Sequence, residues 1–405
     1  MTMTKTFFPS PHNSVLQIPA LDTRAIRSFH QSLPRYAITP LYSCPLLAER
    51  LGVARVLVKD ESKRLGLPSF KMLGASWATA TAISREWLGV SSPPESITQL
   101  KRDLAATYGG KWRVGRRLVA ATDGNHGRGV ARMARLLRLR CQIFVPAGTA
   151  PSRIRSIERE GARVDVVNGT YDDAIARSAE EASIMTLVVS DTSWDGYTET
   201  PTNVINGYST MFSEIDDQMG HGQPSIVAFQ AGVGAFAAAG MMHWANRGDT
   251  EKVGMLVIEP STANCLMESA SAGGITLVPG PHESTMAGLN CGLPSLIAWP
   301  IVSEFTAGFI AVDDDSTFDA MRLLAQCGIV AGESGAAGLA GLLAVSDHNQ
   351  RRETGLTSGA TVLVINTEGA TDPVNYRRVT GETAKGVVRT RRRRQNRTQT
   401  IPVSS

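Results

Sequence analysis

Long apolar runs are missing from this 405-residue chain. No stretch approaches the roughly 20 residues that a membrane-spanning helix needs, so no membrane association is expected. Cysteine is scarce: five residues (Cys44, Cys141, Cys265, Cys291, Cys327), widely spread and without a CxxC pair. That argues against both a disulfide framework and a metal site. The opening stretch MTMTKTFFPSPHNS lacks the basic-then-apolar layout of a secretion signal, and a reduced, cytoplasmic setting is the expectation. Acidic residues are absent from Lys385 to Ser405, where seven basic ones gather (Lys385, Arg389, Arg391, Arg392, Arg393, Arg394, Arg397). Against a whole-chain net charge of +4, that leaves −3 for the remainder. The body is mildly acidic, and the basic character belongs to a polar tail, 381–405, expected to stay disordered. RTRRRRQNR resembles a nuclear-routing or nucleic-acid patch. With no aromatic or structured platform beside it, a solvated extension is the preferred reading and nucleic acid is not an expected partner.

What the chain does contain is a dense alternation of strands and helices. Val56–Lys59, Leu118–Thr122, Gln142–Pro146, Val164–Val167, Thr186–Ser190, Ser225–Gln230, Gly254–Pro260, Phe309–Val312 and Thr361–Asn366 read as strands. Most are continuous apolar runs rather than strict alternations, as strands covered on both faces should be. Helical patterns fit between them. After Gly124, Val130, Met133, Ala134 and Leu137 form an apolar stripe with Arg128, Arg132 and Arg135 on another face. This density implies an α/β fold with mainly parallel sheets. Gly89 to Arg113 reads as an excursion between core elements, and the first 35 residues show no clear periodicity.

In parallel sheets, ligands sit beyond the carboxyl ends of the strands, and the chemistry-bearing strings all fall there. Lys71, in SFKMLGA, follows an apolar strand and the turn KDESKRLGLP, and the Met72, Leu73 and Ala75 after it place it at the start of a buried helix. Losing hydration there favours the free amine, a nucleophile suited to forming a Schiff base with a carbonyl. A surface lysine laying its stem along apolar surface is the bland alternative. GVGAFAAAG is a strand end, a glycine turn (Gly232, Val233, Gly234) and a small-residue helix beginning near Ala235 and Phe236. Its amides and the positive end of the helix suit a phosphate. A full GxGxxG is absent and Phe236 would crowd a pyrophosphate, although Glu259 stands where a dinucleotide ribose would want an acid; close packing is the remaining reading. TDGNHG puts Asp123 and Asn125 at a strand-to-helix turn, where either can cap the helix, or Asn125 can meet a cofactor ring oxygen and Asp123 act as a base. His126 is given no catalytic role. DTSWDGY offers Asp191 and Asp195, AGESGAAGL places Glu333 before a glycine-rich helix start, and NTEGATDP sets Thr367 just past a strand.

Taken in this order, the strings resemble the fold-type II pyridoxal-phosphate family, the tryptophan synthase β-subunit-like enzymes. Within it they are most similar to the ammonia-lyases of 2,3-diaminopropionate, on KDESKRLGLPSFKMLG, ATDGNHGRGVA, DTSWDGY, QAGVGAFAAA, TMAGLNCGLP, GESGAAGL and NTEGATDP. The likeness covers roughly Pro34 to Tyr376. Threonine and serine dehydratases carry a serine-type residue where Asp123 stands.

The resemblance implies two open, mainly parallel α/β sheets with helices on both faces and pyridoxal 5'-phosphate held between two domains. Residues 36–75 with 200–380 would form the large cofactor domain and 76–199 the small one, with 1–35 an N-terminal extension. It also implies a small amino-acid substrate and a homodimer. Lys71 would hold the cofactor covalently, Asn125 contact its ring oxygen, and the Gly232–Phe236 backbone bind its phosphate, with Glu333 also in the cofactor site. Thr367 would face the pyridine nitrogen, where a hydroxyl, unlike an aspartate, favours β-elimination. The implied reaction removes ammonia from the β-carbon and ends in pyruvate and a second ammonia. Lys71 would serve as base on one face of the substrate and Asp123 on the other, so that D and L isomers both react, while Asp191 meets the departing β-ammonium. NTEG stands in place of the family's usual STEG, and Ala235 where a serine is common. Cys265 and Cys291, in loops near the site, are expected to approach each other. A dehydratase-like β-elimination or replacement enzyme of the same fold stays open as the alternative.

Overall fold

The computed structural model describes residues 7–10, 16–122, 124–220, 222–248, 253–345 and 348–398. Eleven strands are described: β1 (Phe7–Pro9), β2 (Leu41–Ser43), β3 (Arg55–Asp60), β4 (Arg117–Ala121), β5 (Arg140–Pro146), β6 (Arg163–Val167), β7 (Thr186–Val188), β8 (Ile226–Gln230), β9 (Gly254–Pro260), β10 (Gly308–Val312) and β11 (Thr361–Asn366). They form a seven-stranded sheet, β1-β10-β9-β8-β11-β3-β2, and a four-stranded sheet, β6-β5-β4-β7. Every pairing is parallel except those of the two edges, β1 on β10 and β2 on β3.

All nine strands expected from the sequence are present. The physical reason they were legible is that both faces of the sheets are covered. In the large sheet, Leu57, Val227, Phe229, Val257, Leu363 and Ile365 feed one apolar cluster. Their neighbours Val56, Val58, Ile226, Ala228, Leu256, Ile258, Val362 and Val364 feed another on the opposite face. Alternate residues of one strand thus enter different cores, so the whole run must be apolar. Each such buried aliphatic side chain contributes roughly 1.5–3 kcal/mol.

The elements missed by the sequence reading are short or only locally signalled. β1 and β2 have three residues each, too few to show a period. The segment before residue 35 holds a helix, Thr23–Gln31, capped by Asp22 accepting from Ala25 N at 3.0 Å. The 89–113 excursion holds another, Ile97–Tyr108, capped by Ser96 accepting from Gln99 N at 3.0 Å. The basic tail also differs from expectation: Ala384–Thr398 is helical, with Val387 buried and the Arg391 guanidinium 4.4 Å from the centre of the Tyr42 ring. That apolar and cation–π anchoring gives the segment's first turns a seat that its charge alone does not reveal; residues 399–405 lie outside the described residues. Among the described residues, no helix is long and apolar enough to cross a membrane.

The helix Met72–Leu88 occupies the centre, buried on nearly every side. Its crossing with Glu199–Gly207 is a backbone contact: a Cβ on Gly207 would lie 2.7 Å from the Leu73 carbonyl oxygen and 2.8 Å from Gly74 Cα. It also meets the helix Asn125–Leu137, where a Cβ on Gly129 would lie 2.8 Å from that of Ala75. The carboxyl ends of β3, β4, β8 and β11, together with the loop after β7, open into the space at the start of this central helix.

Candidate active site

The polypeptide reaches Lys71 through a turn held by buried charges. Lys59, Glu61, Arg64 and Glu214 are all fully buried, two cations against two carboxylates. Arg64 Nη2 donates to Glu61 Oε1 at 2.6 Å and to Glu214 Oε2 at 2.7 Å, and Lys59 Nζ to Glu214 Oε2 at 2.9 Å. Burial alone would raise the Glu214 carboxyl, but the hydrogen bonds and charge of Arg64 and the charge of Lys59 outweigh it and bring it down to about 2. Removing one member would strand a buried charge, so the network fixes the path of residues 61–64. Further along, Phe70 N donates to the Thr367 carbonyl at 3.1 Å, and Ser69 bridges Glu368. The lysine turn is therefore tied to the end of β11.

Lys71 lies at the N-terminal edge of the central helix. Its Nζ is 2.6 Å from Asp191 Oδ2. Burial alone would favour the free amine; the adjacent carboxylate acts the other way and favours the ammonium. Asp191 is buried, and its Oδ1 accepts from the Tyr171 hydroxyl at 2.8 Å. His126 Nδ1 is 3.9 Å from Asp191 Oδ2, while its Nε2 is 2.7 Å from the Val189 carbonyl. A carbonyl can only accept, so Nε2 carries the hydrogen. Burial pushes the Asp191 carboxyl up, but the charges of Lys71 and His126 and its two hydrogen bonds prevail and hold it well below the usual carboxylate range. Asp195, the other carboxylate of that loop, is exposed.

Lys71 and Asp191 open onto a cleft of about 660 Å³, mouth included, that Asn125, Gly232–Phe236, Thr367 and Glu368 also line. Gly234, at φ +95°, turns the chain from β8 into the helix Ala235–Asn246, a conformation that favours glycine. No side chain caps this helix, because its N-cap residue is Gly234. Its first-turn amides, which have no partner inside the helix, face the same cleft. Thr367 is buried, and its hydroxyl accepts from Gln230 Nε2 at 2.8 Å. Asn125 Nδ2 donates to Glu368 Oε2. Glu368 Oε1 accepts from Ser334 N at 3.2 Å, and burial pushes this carboxyl up against the opposing charge of Arg153.

Of the residues singled out in the sequence, the fold brings together Lys71, Asn125, Asp191, Gly232, Val233, Gly234, Ala235, Phe236 and Thr367. Glu333 is not among them. It begins the helix Glu333–Ala344, accepts a hydrogen bond from Asn375 Nδ2, and lines an adjoining cavity with Arg153, Asp372 and Asn375. The carboxylate that lines the cleft beside Asp191 is instead Glu368, one of several residues given no role from the sequence. Gln230 is another, a polar residue closing an apolar strand, which is a usable signal. Tyr171 opens the helix Tyr171–Ala179 and carries no sequence signal of its function. Asp123 lies outside the described residues. Cys265 and Cys291 both lie against Gly232: Cys265 Sγ donates to its carbonyl at 3.7 Å, and a Cβ there would lie 2.8 Å from Cys291 Sγ. Both are buried and neither is in a disulfide; burial pushes Cys265 well above the usual thiol range, and Cys291 adds to the effect.

An uncapped helix start, a lysine and a buried hydroxyl around one cleft fit the phosphate, aldehyde and ring nitrogen of pyridoxal phosphate. Residues 33–368 match the pyridoxal-phosphate dependent enzyme family, and the chain belongs to it. Its cofactor is pyridoxal 5'-phosphate. The chain is similar to the diaminopropionate ammonia-lyase of Escherichia coli strain K12, at 37% identity over 368 residues, 88% of this chain and 90% of that protein. Two solved structures of diaminopropionate ammonia lyase from Escherichia coli also match. The complex with D-serine has a TM-score of 0.82 and the complex with an aminoacrylate-PLP azomethine reaction intermediate 0.80; each is 33% identical and covers 92% of this chain and 96% of that one.

Proposed function

We propose that this chain is a carbon–nitrogen lyase that converts 2,3-diaminopropionate, D and L, and water into pyruvate and two molecules of ammonia. The observation that carries the reading is the ionised Asp191 carboxylate beside Lys71 Nζ, 2.6 Å away. A fixed negative charge suits a substrate whose β-substituent is a cationic amine, whereas a leaving hydroxyl has no such need.

Bound pyridoxal phosphate supplies an electron sink for the charge left when the α-proton departs. Lys71 would hold the cofactor covalently, the Gly232–Phe236 amides its phosphate, Asn125 its ring oxygen and Thr367 its ring nitrogen. Lys71 Nζ would take the α-proton on its own face of the substrate. Asp123 takes it on the opposite face, which accommodates the other isomer. Asp191, oriented by Tyr171 and flanked by His126, binds the β-ammonium and favours its departure. A homodimer and a cytoplasmic location belong to the same reading and are checked by light scattering and by fractionation.

The test is to mix purified holoenzyme with each isomer of 2,3-diaminopropionate, with serine and with threonine, and to measure oxoacid and ammonia. Pyruvate and ammonia in a 1:2 ratio from both isomers is the expected result. Turnover of serine or threonine without turnover of either isomer would instead make this a dehydratase. Borohydride should fix the cofactor to the wild type and fail to do so in Lys71→Ala; a trapped adduct in that variant refutes the lysine assignment.

A further inference from the structure

We infer that Gln230 is a positioning residue that decides which way the Thr367 hydroxyl points its proton. The inference rests on the reading above, in which Thr367 meets the pyridine nitrogen. Gln230 closes β8, an otherwise apolar strand, and is buried. Its Nε2 lies 2.9 Å from the Ile365 carbonyl oxygen, 3.1 Å from that of Ser334 and 2.8 Å from Thr367 Oγ1. Carbonyl oxygens only accept, so this end of the amide must be the NH2; turning it over would set Oε1 against two carbonyls. The backbone of two other elements thus fixes the amide's orientation.

An amide nitrogen has no lone pair to offer, so toward Thr367 it only donates. The amide's two hydrogens are shared among these acceptors, and because Nε2 cannot accept, the threonine must send its own hydrogen elsewhere. Thr367 lines the cleft that Lys71 opens onto, and a hydroxyl donating into it suits a pyridine nitrogen that carries no proton. A hydroxyl accepting from it would suit a protonated ring instead. Gln230 therefore sets the cofactor's electronic state through the Thr367 hydroxyl.

The experiment reconstitutes holoenzyme with pyridoxal phosphate carrying 15N in its ring and reads the ring-nitrogen NMR signal. The wild type is expected at the position of an unprotonated ring. In Gln230→Glu the oxygen that replaces Nε2 directs the acid's hydrogen at the Ser334 and Ile365 carbonyls and, unlike an amide nitrogen, keeps a lone pair that accepts from Thr367, so the signal moves toward the protonated position. Gln230→Met offers neither donor nor acceptor; it is expected to weaken cofactor affinity about tenfold, and to add nothing further on a Thr367→Val background. An unmoved signal in Gln230→Glu overturns the inference. So does a Gln230→Met loss that persists in full without the hydroxyl, because a merely structural role would be independent of Thr367. Should Gln230→Glu fail to fold, the Gln230→Met and Thr367→Val cycle decides. A wild type that takes up no cofactor at all would sink the proposed function, not this relation.

Discussion

Lys71 Nζ and Asp191 Oδ2 lie 2.6 Å apart, an ion pair between residues 120 positions apart in the chain. The pair has two uses. Without cofactor it keeps both charges compensated where water is scarce. In the proposed holoenzyme the lysine nitrogen would be engaged by the cofactor, and Asp191, still held by the Tyr171 hydroxyl, would be placed to meet a substrate ammonium.

Asp191→Asn should therefore bind pyridoxal phosphate and yet turn over both isomers of 2,3-diaminopropionate about 10²–10³-fold more slowly. Steady-state pyruvate release on cofactor-saturated protein measures it. Wild-type turnover in this variant would remove Asp191 from the mechanism.

Asp123→Asn should discriminate between isomers. If it serves the face opposite Lys71, activity on the D isomer falls by about 10²-fold while the L isomer is largely spared. Equal losses on the two would count against a two-base scheme.

Gly207→Ala tests the backbone contact beneath the lysine helix. The added methyl would meet the Leu73 carbonyl at 2.7 Å and Gly74 Cα at 2.8 Å, atoms that cannot rotate away. The variant should lose about 1–3 kcal/mol of stability and, because Leu73 lies two residues from Lys71, bind the cofactor more weakly. Denaturant titration and cofactor titration report the two effects; an unchanged unfolding midpoint would contradict the packing described.

His30 supplies a pH dependence. It is fully buried, with Nε2 3.0 Å from the Leu73 carbonyl and Nδ1 2.7 Å from Thr210 Oγ1. Burial, opposed by the Leu73 hydrogen bond, lowers its pKa from 6.5 to about 3. The folded protein keeps the ring neutral, while the unfolded chain takes up a proton below 6.5. Its contribution to stability is thus present above pH 6.5 and drains away as pH falls toward 3, by about 1.4 kcal/mol per pH unit. His30→Leu should be less stable than wild type at pH 7, since Thr210 and Leu73 lose a partner, but should lose less between pH 7 and 5. Urea unfolding at the two pH values gives the comparison, and parallel losses would show that His30 titrates normally.

The strands of the core were readable because parallel strands buried on both faces need continuous β-branched and aliphatic runs, and most of the nine strand segments are of that kind. Three-residue edge strands and a helix anchored chiefly by Val387 and Arg391 leave no comparable mark. The site divides in the same way. Lys71, Asn125, the glycine turn and Thr367 stand at strand ends, where a parallel sheet must present its ligand-binding groups. Choosing between carboxylates needed the folded chain: Asp191 and Asp195 share one loop, yet one is buried against Lys71 and the other exposed. Likewise Glu333 turns to Asn375 while Glu368 turns into the cleft.

By itself, then, the order of residues determined the sheet architecture, the family and the lysine, because periodicity and local motifs are short-range properties written along the chain. Which acid faces which base, and that Gln230 stands behind Thr367, was decided by tertiary packing. Those pairs lie more than a hundred residues apart, and their directions depend on how β8, β11 and the loop after β7 converge.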